Sequence, residues 1–188
     1  MNIETIEGNL LDFPSYCKTN PDKYIGISSI AHSCNCETIM GGGIARQIKS
    51  RYPQAYEADI EFHTRREHKT LSEFSNALGE FSKTEVNSKF LPDGKGLIYN
   101  MYTQVSVGTE SRQVNYEKFW QALKKIEEDL YKMNVEKHEY DPSAPPVLGL
   151  PYGISCGLAG GNWKIIKAVI EDIFLDSPIK CYIVKLDI

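Results

Sequence analysis

The chain has 188 residues, 41% hydrophobic and 24% charged, with a formal net charge of −4 and a pI near 5.6. That length fits one domain with a core that needs neither metal nor disulfides, and the acidic balance argues against broad nucleic-acid or membrane-surface binding. Five scattered cysteines (Cys17, Cys34, Cys36, Cys156, Cys181) fit reduced thiols, and neither a membrane-length apolar run nor a basic-then-apolar leader pattern is present, so a soluble cytoplasmic protein is expected.

Asn2 to Leu11 alternates as a first strand, and Asp12 to Asp22 is a polar, proline-bearing connection. Tyr24 to Ala31, rich in isoleucine, is expected to be a strand buried on both faces, with His32, Ser33, Cys34, Asn35 and Cys36 at its end. Gly41, Gly42 and Gly43 then open a helix from about Ile44 to Arg51 or Tyr52, broken at Pro53. A second helix follows from Gln54 to about His63, since proline is tolerated at a first helical position. The polar stretch Thr64 to Ser75 fits no single element. Gly79 to Val86 and Gly96 to Val105 read as an antiparallel strand pair around a Pro92-Asp93-Gly94 turn.

Tyr116, Phe119, Trp120, Leu123, Ile126 and Leu130 recur at helical spacing between Val114 and Met133 and are expected to face the core. Lys137 to Pro146 is a charged, then proline-rich connection. Val147 to Tyr152 is a short strand leading into a second glycine-rich turn, Gly153 to Gly161, and a helix from Lys164 to Phe174. Ile179 to Leu186 closes the chain as a strand. Strands alternating with helices, plus one hairpin, predict an α/β fold with a mixed sheet.

The glycines carry the functional argument. Gly41 to Gly43 can expose backbone N–H groups where the next helix has its first unpaired donors, which suits an anion and above all a pyrophosphate. The alternative is a turn that only lets strand and helix pack closely, because neither the P-loop nor the GxGxxG pattern is met. A second such turn after a second buried strand favours the anion site, since open α/β sheets bind ligands at the carboxyl ends of their strands.

With these residues in place the sequence resembles the macrodomains, the ADP-ribose-binding modules. Gly8-Asn9-Leu10 resembles the family's first turn, Ala31 to Asn35 its Asn-Ala-Ala-Asn-like segment, Gly41 to Ala45 its glycine loop, and Gly153 to Gly161 its second phosphate loop. The resemblance spans residues 1–188 as a single macrodomain, a three-layer α/β/α sandwich around a mixed, mostly parallel sheet. Its nearest branch holds the yeast ADP-ribose 1''-phosphate phosphatase, the terminal ADP-ribose protein glycohydrolase and the DNA ADP-ribosyl glycohydrolases.

That resemblance implies an ADP-ribose site made of Asn9, Leu10, Gly41, Gly42, Gly43, Ile44, Ala45, Tyr102, Gln104, Gly153, Ile154, Ser155, Cys156, Gly157, Leu158 and Ala159. Asn9 stands where the family has an aspartate that receives the adenine amino group, and Asp12 is a possible substitute. Asn35 would meet the distal ribose or bridge its own turn. His32 would exchange a proton there or serve as a structural histidine; His63, His68 and His138 are expected to be solvated. Gln104-Val105-Ser106-Val107 lacks the lysine of the branch's glycohydrolases, and Ala159 replaces an aspartate of the second loop. A covalent sugar adduct on lysine is therefore not expected.

The implied reaction is dephosphorylation of ADP-ribose 1''-phosphate by water, with His32 and Asn35 as catalytic residues and no cofactor or metal. A non-catalytic ADP-ribose reader, or a hydrolase of ester-linked ADP-ribose, are the alternatives. Expected partners are small ADP-ribose nucleotides and ADP-ribosylated macromolecules, with the protein acting as a monomer. Neither Cys34 nor Cys156 lies in a Cys-x5-Arg cradle, and Cys34-x-Cys36 has no second pair for zinc.

Overall fold

A computed structural model describes residues 2–65, 75–89, 91, 94–136 and 145–186. The expected Pro92-Asp93 turn, His68, His138 and much of the two polar connections lie outside them. Six strands form one sheet in the order β1 (Ile3–Glu7), β8 (Lys180–Lys185), β7 (Val147–Pro151), β4 (Ser29–Asn35), β6 (Lys95–Gln104), β5 (Phe81–Asn87). All neighbours run parallel except β5 against β6. A separate hairpin joins β2 (Tyr16–Cys17) to β3 (Asn20–Tyr24) within the stretch expected to be a plain connection.

Helices α1 (Gly43–Arg51) and α2 (Pro53–Arg65) cover one face, where Ile48, Tyr52 and Ala55 pack on Ile30, Ile98 and Tyr182. Helices α3 (Tyr116–Glu136) and α4 (Trp163–Phe174) cover the other, where Phe119, Leu123, Ile126, Ile166 and Ile170 pack on Ala31, Met101, Leu148 and Ile183. This is the expected α/β/α sandwich. Trp120 departs from the core stripe: it is 40% exposed, and its indole N–H donates to Asp172 Oδ2 at 3.1 Å.

One boundary matters for the site. The central strand begins not at Tyr24 but at Ser29, after Gly26 turns the chain at φ +53, and it runs through His32 to Asn35. Residues expected at a strand end are therefore inside a strand, with His32 to Asn35 registered against β6 and only Ser29 and Ile30 against β7, and their side chains alternate between the two faces.

Candidate functional site

The carboxyl ends of β4, β6 and β7 open into a cleft of about 530 Å³. Its walls are the two glycine-rich loops. On one side Gly41, Gly42, Gly43, Ile44 and Ala45 lead into α1; on the other Gly153, Ile154, Ser155, Gly157, Leu158 and Ala159 follow β7. The first hydrogen bond of α1 runs from Arg46 N–H to Gly42 C=O at 3.1 Å, so the N–H groups before it have no acceptor inside the helix. No side chain caps that helix start by a hydrogen bond, since Gly42 is the N-cap, and the first turn carries no carboxylate. It is a natural place for negative charge.

The second loop is held by its own backbone. Gly161 N–H donates to Ser155 C=O at 2.8 Å, and Ala159 C=O receives Gln113 and Val114 N–H. A Cβ on Gly161 would stand 2.6 Å from the Ser155 carbonyl oxygen, so only glycine allows this approach. Ser155 itself sits at φ +61 in the left-handed region. The second loop reaches across the cleft: the Ser155 hydroxyl lies within hydrogen-bond distance of the Ser33 hydroxyl of β4, and Leu158 reaches over to Gly42 of the first loop.

Asn35 and Gln104 also line the cleft, but both are engaged locally. Asn35 Oδ1 accepts Glu37 and Ile39 N–H, and its amide donates to Ile39 C=O at 2.7 Å, which shapes the loop before the glycines. Gln104 donates to Ser106 C=O at 2.8 Å. Half-exposed Tyr152 lines the mouth and packs on Trp163 at 4.8 Å.

Several expected site residues lie elsewhere. His32 is fully buried on the α2 face, its Nε2 2.8 Å from Asn100 Oδ1, and it does not line the cleft. Burial pushes its imidazole down to about 4, so the ring is neutral at pH 7. Depth in the strand is the cause: Cys34, on the same face of β4 but two residues nearer its carboxyl end, reaches the cleft, while Ser33 on the other face meets Ser155 of the second loop. Tyr102 is likewise buried behind the cleft, donating to Asp59 Oδ1 at 2.8 Å. Cys156 turns its thiol to Ile154 C=O, and Leu10 joins the core beside Ile6 and Ile27. Asn9 caps a short 3-10 turn, Leu10–Asp12, by accepting Leu11 N–H, and lies outside the cleft lining, while Asp12 pairs with Arg51.

Among the lining residues that were not anticipated, two carry a buried ionisable group. Cys34 forms part of the floor, with burial raising its thiol well above the usual range, so it is no ready thiolate. Asp59 of α2 is the other, 1% exposed, and burial pushes its carboxyl up to about 6. Its neighbour His63, expected in solvent, is 5% exposed with Nε2 3.6 Å from Asp59 Oδ1. Ala55, Asp59 and His63 recur every four residues on one face of α2, which is the signal that places all three against the sheet.

No family model matches this chain. It is 30% identical over 145 residues to an uncharacterized 17.5 kDa protein of Enterobacteria phage T4, covering 76% of this chain and 77% of that one. It is 28% identical over 195 residues to the ADP-ribose 1''-phosphate phosphatase of Saccharomyces cerevisiae, covering 96% and 98%. Among solved structures, the macrodomain of Mycobacterium tuberculosis DarG superposes with a TM-score of 0.66 at 18% identity, covering 97% and 96% of the two chains. With the sheet order and the two glycine loops, this likeness shows that the chain has the macrodomain fold.

Proposed function

We propose that this protein binds ADP-ribose and hydrolyses a derivative of it at the distal ribose, releasing phosphate from ADP-ribose 1''-phosphate. The observation that carries the reading is the pair of glycine loops, Gly41 to Ala45 and Gly153 to Ala159, facing each other across one cleft at the carboxyl ends of β4 and β7. Two loops offering backbone N–H groups from opposite walls suit a diphosphate better than a single anion. The half-exposed ring of Tyr152 at the mouth offers a face for a base, which leaves the enclosed end for the second sugar. The end-to-end similarity to the yeast phosphatase supports the same ligand class.

In this reaction water adds to the terminal phosphorus, the bond from phosphorus to the ribose oxygen breaks, and that oxygen takes up a proton. Such a transition state is loose, so it asks mainly for positioning and for donors to the phosphate oxygens. The loops supply both without an ionised side chain. The test is phosphate release from ADP-ribose 1''-phosphate by the purified protein, beside calorimetric binding of ADP-ribose. Release well above buffer supports the phosphatase. The withdrawal of His32 from the cleft favours a second reading, a reader that binds ADP-ribose without turning it over. Tight binding with no release would select it.

A further inference from the structure

Beyond Ile30 the central strand parts from β7: the two are registered at Ser29–Leu148 and Ile30–Gly149 and no further. One hydrogen bond spans the opening that results, between the hydroxyls of Ser33 on β4 and Ser155 in the second loop; among the described residues no other hydrogen bond joins this strand to that loop. Both residues line the cleft, and both are partly exposed. Ser155 holds its place at a cost, because φ +61 lies in the left-handed region that glycine enters freely and serine does not. Strained positions of this kind cluster at ligand clamps, and here the strain brings a hydroxyl where glycine would bring none.

Two hydroxyls carry two protons and their mutual bond uses one, so the other needs an acceptor. Neither hydroxyl has a further protein partner among the described residues. The backbone beside Ser155 sets the kind of acceptor. The N–H groups of Leu158 and Ala159, which also line the cleft, have no acceptor among the described residues, and the second loop contains no carboxylate. Donors gathered in one turn suit an anion, so the complement of the free hydroxyl proton is a phosphate oxygen. Because these donors lie on the Ser155 side, Ser155 is the member of the pair that faces the anion. We propose that Ser33 and Ser155 form a hydroxyl relay, in which Ser33 donates to Ser155 Oγ and Ser155 donates in turn to an oxygen of the ligand's diphosphate. Ser155 is then a side-chain donor in a loop that otherwise offers backbone alone, and Ser33 is the positioning residue that aims and polarises it. The relay rests on the ADP-ribose reading above.

The experiment is calorimetric titration of wild type, Ser155→Gly, Ser155→Ala, Ser33→Ala and the Ser33→Ala/Ser155→Gly double variant with ADP-ribose and with ADP, beside thermal unfolding of each protein. Ser155→Gly should hold its melting temperature within about 4 °C, since relief of the left-handed backbone offsets the lost hydrogen bond. It should weaken ADP-ribose roughly 10- to 100-fold, the range for one hydrogen bond to a charged group. Ser155→Ala keeps the Cβ, so it should weaken ADP-ribose by a similar factor and melt lower than Ser155→Gly. Ser33→Ala should cost roughly 3- to 10-fold, because the Ser155 hydroxyl is no longer fixed in one of its staggered positions or polarised. The double variant should bind within about twofold of Ser155→Gly, because Ser33 acts through Ser155. ADP carries the same diphosphate and should lose the same factor as ADP-ribose. Wild-type affinity for ADP-ribose in folded Ser155→Gly, losses that multiply in the double variant, or a loss confined to ADP-ribose would overturn the relay while leaving ADP-ribose binding intact. Failure of wild type to bind ADP-ribose would overturn both.

Discussion

Replacing His32 with alanine separates a structural histidine from a catalytic one. The imidazole is wholly buried and hydrogen-bonded to Asn100, whose amide donates onward to Ala55 C=O at 2.7 Å and to Ser82 Oγ at 2.9 Å. The network ties β4, β5, β6 and α2 together behind the cleft. Truncation leaves Asn100 Oδ1 without its partner, about 1–3 kcal/mol, and opens a cavity of the kind that costs about 2–5 kcal/mol. A total loss of about 3–8 kcal/mol is a large part of the stability of a typical domain. Urea unfolding reads the loss, and phosphate release per folded molecule at low temperature reads the chemistry. The reasoning predicts a much lower midpoint with release per folded molecule changed less than about threefold, the scatter of a site that keeps its contacts. A variant as stable as wild type that no longer releases phosphate would refute it and return His32 to catalysis.

Other substitutions follow from the same geometry. Asp59→Asn removes a buried carboxyl held near 6 instead of its ordinary 3.8 and should stabilise the protein at pH 7.5 by up to about 3 kcal/mol in urea unfolding. Acid titration of that variant should also be steeper. His32 binds its proton later in the folded than in the unfolded state, so stability is lost as pH falls from 6.5 to about 4, by about 3 kcal/mol. Asp59 takes its proton earlier when folded and regains stability from about 6 downward, so wild type masks a slope that Asp59→Asn exposes. Gly161→Ala should cost about 1–3 kcal/mol by thermal unfolding and weaken ADP-ribose, because the new Cβ meets the Ser155 carbonyl oxygen at 2.6 Å. Gly42→Ala should leave stability within about 0.5 kcal/mol, since its backbone at φ −137 suits any residue and the atom it meets is the free end of Leu158. Wedged between the loops, that methyl should still lower ADP-ribose affinity in calorimetry.

The sheet, the helices and both loops were legible because each rests on a local signal: glycines after apolar runs, Pro53 at a helix start, and the 3.6-residue stripe of α3. The role of His32 was not. It depends on where β4 begins, and an isoleucine-rich run from Tyr24 hides the turn at Gly26 that shifts the strand onward. Where the strand ends then decides between cleft and core, since Cys34 on the same face reaches the cleft and His32, two residues deeper, does not. Asp59 was missed for a related reason. Its helix is polar overall, and only pairing with the sheet through Tyr102 turns Ala55, Asp59 and His63 inward. Asn9 shows a third limit, since a side chain that matches a family position by type is here committed to capping its own turn.

The central claim is that the two glycine loops form a diphosphate site selective for ADP-ribose. Calorimetry of wild type with ADP-ribose, ADP and inorganic pyrophosphate tests it most directly. The account predicts one site per chain, with ADP-ribose bound more tightly than ADP and pyrophosphate weakest, and with the affinity lost in Gly161→Ala. No heat of binding with ADP-ribose, or affinity unaffected by Gly161→Ala in folded protein, would contradict it.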